Sequence, residues 1–162
     1  MLQLRDYQRE DVEIIKTKKR IGLFNEQRTG KTPTICVALK ELSHKRVVIV
    51  CPNSMLYVWK YEYERWTGNK AVIIKKDTQY DKLTKDDAII MSYGKLSYKN
   101  KMSEFTHLER VLKHKPTAFV CDEAHILSNR ETNYNTTCTA VSRVVDTCIV
   151  ATGTPARDKP LS

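Results

Sequence analysis

Six short, unbroken apolar runs recur along the chain, and they constrain its fold more than any other feature. They are Ile21–Phe24, Val47–Cys51, Ala71–Ile74, Ala88–Met91, Ala118–Cys121 and Cys148–Ala151. A strand with one wet face alternates apolar and polar residues, whereas a continuous run marks a strand covered on both faces, as in a parallel sheet. Parallel neighbours need crossovers of a dozen or more residues, usually helical. The intervals supply them, with helix-like stretches at Thr32–Leu42, Met55–Trp66, Ser103–Lys113 and Tyr134–Val145. The pattern predicts an α/β domain: a mostly parallel β-sheet with helices on both faces.

A length of 162 residues suits one domain that needs no disulfide or metal to stand. The apolar runs fall far short of the roughly 20 residues that span a membrane, and the amino-terminal stretch is too polar for a signal-peptide core. A cytoplasmic protein without membrane contacts is expected, in a bacterium or a phage-infected host. The five cysteines are odd in number and include no CxxC pair, which suits small reduced core residues rather than bridges or ligands. Lys and Arg number 28 against 19 acids, a formal charge of +9. That balance favours a polyanionic partner and equally fits a plain solvated surface.

Directly after the first run comes Asn25-Glu26-Gln27-Arg28-Thr29-Gly30-Lys31-Thr32, leading into a helix-like stretch. A phosphate-binding loop needs backbone N–H groups converging at a helix N-terminus. It also needs a Lys for the β/γ-phosphates and a Ser/Thr hydroxyl for Mg2+. Gly30, Lys31 and Thr32 match those roles, and Pro33 falls in the first turn, where its missing N–H costs little. The usual first glycine is Asn25 here, a residue that tolerates left-handed backbone. An ordinary turn into a helix is the competing reading of the tripeptide alone.

The fifth run leads into Asp122-Glu123-Ala124-His125. Adjacent carboxylates at the end of a buried strand are costly unless a cation or a reaction requires them. Beside a phosphate loop, the first would hold Mg2+ and the second would polarise the attacking water. Ligands of open α/β sheets collect at the carboxyl ends of the strands, which would bring both motifs to one edge. Taken singly, Asp122 could instead be a helix N-cap.

With these residues in place, the chain resembles the first RecA-like domain of a superfamily II helicase. It is most similar to the Snf-type DNA translocases, including short phage-encoded versions. Leu4-Arg5-Asp6-Tyr7-Gln8 resembles the segment that reads adenine, with Arg5 and Gln8 as its binding residues. Asn25 through Thr32 resembles motif I, where the Snf branch often lacks the first glycine, although Arg28 replaces a common one. Cys51-Pro52-Asn53-Ser54-Met55 with Trp59 resembles motif Ia, and Met91-Ser92-Tyr93 with Leu96 resembles motif Ib. Asp122-Glu123-Ala124-His125 resembles motif II, a DEAH box, and Ala151-Thr152-Gly153-Thr154-Pro155 resembles motif III. The match runs in order from Leu4 to about Ala156.

The resemblance implies ATP and Mg2+ as cofactors. Lys31 and Thr32 would bind the triphosphate and metal, Asp122 would hold the metal, and Glu123 would be the catalytic base. His125, Thr152, Gly153 and Thr154 would link nucleotide state to nucleic-acid grip. Pro52, Asn53, Ser54, Ser92 and Tyr93 would face the backbone of DNA, double-stranded and read without regard to sequence. Trp59, Tyr61 and Tyr63 share one amphipathic helix and are expected to pack rather than stack on bases.

In this family ATP lies between two RecA-like domains, and the second supplies arginine fingers worth roughly 10³–10⁵ in rate. Residues 1–156 are expected to form the ATP-binding domain and 157–162 a tail or the start of a linker. Arg157 would sit on the wrong domain for a finger. The chain alone would bind nucleotide weakly and hydrolyse it slowly, needing a second RecA-like domain in cis or trans. The alternative is a non-catalytic nucleic-acid-binding adaptor that keeps the fold, which the intact Lys31, Asp122 and Glu123 disfavour.

Overall fold

The computed structural model describes residues 2–23, 30–98, 106–128 and 133–152. Helix α1 (Asp6–Lys18) leads into β1 (Arg20–Leu23) and α2 (Lys31–Glu41), then β2 (Val47–Cys51) and α3 (Leu56–Thr67). Strands β3 (Ala71–Ile73) and β4 (Ala88–Ser92) follow, then α4 (Tyr93–Ser97), α5 (His107–Lys113), β5 (Ala118–Asp122), α6 (Asn133–Ser142) and β6 (Thr147–Ala151). The six strands form one sheet in the order β1-β6-β5-β2-β4-β3, and every pairing is parallel.

The unbroken apolar runs work because the strands inside the sheet feed two cores in turn, whereas β1 at its edge packs on one alone. Val47, Ile49 and Cys51 pack on one face with Ala88, Ile90, Val120 and Ile149, under Val12 and Ile15 of α1, Ile35 and Leu39 of α2, and Trp59 and Tyr63 of α3. Val48, Val50, Ile89, Met91, Phe119 and Cys121 face the other way, onto Leu96 of α4, Val111 of α5, and Cys138 and Val141 of α6. Side chains alternate across a strand, so a strand buried on both sides has no polar position to reveal its period.

Helix ends carry their own signals. Ser92 Oγ accepts the Lys95 amide at 3.1 Å and Thr106 Oγ1 accepts that of Glu109 at 3.1 Å, as N-caps do. Gly68 closes α3 at φ 75°, its amide donating to the Glu64 carbonyl, a left-handed C-cap. At the amino rim of the sheet, His44 lies between the hydroxyls of Thr117 and Thr147, each 2.8 Å from a ring nitrogen.

The strands fall within a residue of the runs read from the sequence. Helix α1 was not expected there, and neither was α4. Helix α5 begins at His107 rather than Ser103, with residues 103–105 outside the described set. All five cysteines are buried and free. Among the described residues no helix is long and apolar enough to cross a membrane.

Candidate functional site

Register places the chain's chemistry along one edge. Leu23 is level with Ala151, and Ala151 with Asp122. Val50 is level with Cys121, and Cys51 with Ser92. Neighbouring strands lie about 4.8 Å apart, so the segments leaving β1, β6, β5, β2 and β4 emerge side by side at the carboxyl rim.

Gly30, Lys31, Thr32, Pro33, Met55, Asp122 and Glu123 line one open cleft of about 370 Å³ on this rim. Gly30 opens α2 at φ 75°, and its carbonyl accepts both Thr34 Oγ1 at 2.9 Å and Gln8 Nε2 at 3.2 Å. A Cβ at Gly30 would stand 1.9 Å from Gln8 Nε2. The Lys31 ammonium is buried and has no hydrogen-bond partner among the described residues. A buried, unpaired charge costs on the order of several kcal/mol, and the free amides of the first helical turn beside it favour an anion. Asn25, Glu26, Gln27, Arg28 and Thr29 lie outside the described residues.

Asp122 is 5% exposed, and both its oxygens are engaged. Oδ2 accepts the Trp59 indole N–H at 2.8 Å, and Oδ1 accepts the Glu123 amide at 3.0 Å. Glu123 adopts φ 56°, a left-handed conformation that costs an ordinary side chain roughly 1–2 kcal/mol. Its carboxylate lies 3.3 Å from His125 Nδ1, which is also 3.3 Å from Thr152 Oγ1. The Thr152 amide donates to the Leu23 carbonyl at 3.1 Å. A chain of contacts thus joins the acid pair to the strand that leads into the phosphate-loop segment. Gly153 and Thr154 lie outside the described residues.

The donor set fits a nucleotide with a hard cation. Among the described residues, no group of three or more His, Cys, Asp or Glu side chains could hold a metal ion. A cation here would draw on Asp122, the Thr32 hydroxyl and phosphate oxygens, which is how Mg2+ is usually held.

A second cleft of about 430 Å³ opens farther along the rim, lined by Asn53, Leu56, Ile74, Lys75, Ser92, Gly94, Lys95 and Tyr98. Asn53 and Ser54 are exposed and Pro52 is half-buried, so the segment after β2 faces solvent. Ser92 joins it in the cleft while its hydroxyl caps α4. Tyr93 corrects the expectation. Its side chain is 3% exposed and its hydroxyl donates to the Asp122 carbonyl at 2.7 Å, because the first residue of α4 turns back under the sheet edge.

Sequence reasoning missed Lys75 and Lys95, which stand over the rings of Tyr57 and Tyr98 at 4.9 and 5.7 Å. Nothing set them apart from the many other basic residues. On α3 the packing expectation holds for Trp59 and Tyr63, both fully buried, whereas Tyr61 is 62% exposed. Arg5 is exposed, and its amide donates to Gln8 Oε1 at 2.7 Å. Each end of the Gln8 amide thus makes one hydrogen bond within the protein, and an amide can still make a second at each end.

Residues 1–157 match the family described as type III restriction enzyme, res subunit. The chain is 29% identical over 149 residues to the SWI/SNF-related matrix-associated actin-dependent regulator of chromatin subfamily A-like protein 1 of Bos taurus. It is 27% identical over 120 residues to the DNA repair and recombination protein RAD54B of Homo sapiens. These alignments cover 90% and 70% of the chain but 15% and 12% of the relatives, so the chain spans a small part of their length. The Sulfolobus solfataricus SWI2/SNF2 ATPase core in complex with dsDNA is similar at a TM-score of 0.73 and 22% identity, covering 98% of this chain and 33% of that one. That likeness is one of fold.

Proposed function

This chain belongs to the type III restriction enzyme res-subunit family, and from that premise we propose that it is the ATP-binding first RecA-like domain of a Snf-type DNA translocase. The observation that carries the reading is a buried Lys31 ammonium, without a hydrogen-bond partner among the described residues, sharing a cleft with Asp122 and Glu123. Lys31 and the first amides of α2 take the β- and γ-phosphates. Thr32 and Asp122 are the residues that would hold Mg2+, which supplies charge neutralisation on the phosphates when bound. Glu123 orients the attacking water and accepts its proton, with His125 fixing the carboxylate from the side of Thr152.

Double-stranded DNA is the proposed partner at the second cleft, its phosphates held by Lys75, Lys95, Asn53 and Ser92. The archaeal ATPase core of similar fold is in complex with dsDNA, which supports this choice of partner. A second RecA-like domain closing over the nucleotide belongs to the same proposal, as does the cytoplasmic location. Titration of a fluorescent ATP analogue against wild type and Lys31→Ala tests the reading. Loss of a charge-assisted contact of about 1.5–3 kcal/mol should weaken binding at least tenfold. Equal binding by the two proteins would overturn it and leave the adaptor alternative standing.

A further inference from the structure

Two of the three segments that line the second cleft each send one buried aromatic side chain back to the same acid. Trp59 lies in α3, just past the exposed Asn53 and Ser54, and its indole N–H meets Asp122 Oδ2 at 2.8 Å. Tyr93 follows Ser92 of the cleft, and its hydroxyl meets the Asp122 carbonyl at 2.7 Å. Both rings are almost wholly buried. Packing alone needs no polar atom at either place, and a buried N–H or O–H is stabilising only when it has its partner.

We propose that Trp59 and Tyr93 are positioning residues for Asp122, tying the carboxylate and its backbone to the walls of the second cleft. The inference rests on the nucleotide reading above. The Glu123 amide holds Oδ1 from the chain's own turn, while the indole holds Oδ2 from across the sheet face. Donors on different oxygens fix the rotation of the carboxylate, and Asp122 is itself a lining residue of the nucleotide cleft. Without the indole N–H the carboxylate turns about its own bond. Without the phenol the carbonyl beneath it loses its anchor to α4. A polyanion that shifts α3 or α4 on binding therefore acts on Asp122 through two hydrogen bonds, which makes the two clefts energetically reciprocal.

The test separates positioning from packing. The chain has two tryptophans, so Trp66→Phe leaves Trp59 as the single indole. In that background Trp59 is replaced by benzothienylalanine, which keeps the ring shape and exchanges N–H for sulfur; Tyr93→Phe removes only the hydroxyl. Fluorescent ADP is titrated with Mg2+ and with EDTA, each with and without duplex DNA. Lost outer-shell partners typically weaken metal affinity roughly 10–100-fold. The Mg2+-dependent part of ADP binding should fall by that order, while affinity in EDTA stays within about twofold and the effect of DNA shrinks. A lower melting temperature with an unchanged Mg2+/EDTA ratio would mean packing alone and overturn the inference. Wild type that binds no ADP would overturn the nucleotide reading with it, whereas normal binding by both variants would overturn this inference alone.

Discussion

Gly30 combines two demands that no other residue type meets: a left-handed φ of 75° and room for the Gln8 amide against its carbonyl. Gly30→Ala should cost roughly 1–2 kcal/mol in backbone strain plus about 1 kcal/mol as Gln8 swings away and its bond is lost. Urea unfolding checks this as a double-variant cycle. In a Gln8→Ala background the same substitution should cost only the strain. At this scale the meeting of Lys31 and Thr32 with Asp122 and Glu123 in one cleft was legible, because each pair follows an apolar run and so emerges at the same sheet edge. The Gln8–Gly30 contact was not, since 22 residues separate the partners and neither residue type announces a distant pairing. Tyr93 was misread for a related reason. A motif gives residue order, while the turn into α4 decides which way the ring points.

Strands were the most legible elements, since a run buried on both faces leaves little else it could be. Helix α1 was hidden because Gln8, Val12 and Ile15 are the only residues it buries, too thin a stripe to stand out among charged neighbours. It is held by α2, where Arg9 and Lys16 meet Glu41 at 2.7 and 3.0 Å. Elements also meet through histidines. Burial holds His44 and His107 below the ordinary value of 6.5, despite Asp146 beside the first and Asp77 beside the second. As pH falls, the unfolded chain binds protons before the folded one does. Stability should therefore be complete above about pH 6.5 and decline as pH drops through the folded-state values. His44→Gln should flatten this slope in urea titrations run between about pH 7 and 5, leaving the share carried by His107.

For the whole molecule, one sheet edge gathers both clefts, and the formal charge of +9 biases the surface toward polyanions. If phosphates occupy the second cleft, log K for duplex DNA should fall linearly with log salt, by about 0.9 for each phosphate neutralised. Lys75→Ala and Lys95→Ala should each lower that slope by roughly one, equally for unrelated sequences, as fluorescence anisotropy would measure. An unchanged slope in both variants would place the DNA elsewhere. The first cleft was legible because its loop and acid pair carry spacing rules. The second was only half so, because Lys75 and Lys95 come together through the pairing of β3 with β4, which no local pattern encodes.

Sulfur offers a practical opening. Every native thiol is shut inside the protein, and burial pushes that of Cys51 up to about 12, so maleimide reagents find little thiolate to attack at neutral pH. A cysteine installed on the outer side of α3, at Tyr61 for instance, would be the preferred point of attachment for a dye. Closure of a partner over the rim could then be followed by fluorescence without emptying the core of its own cysteines.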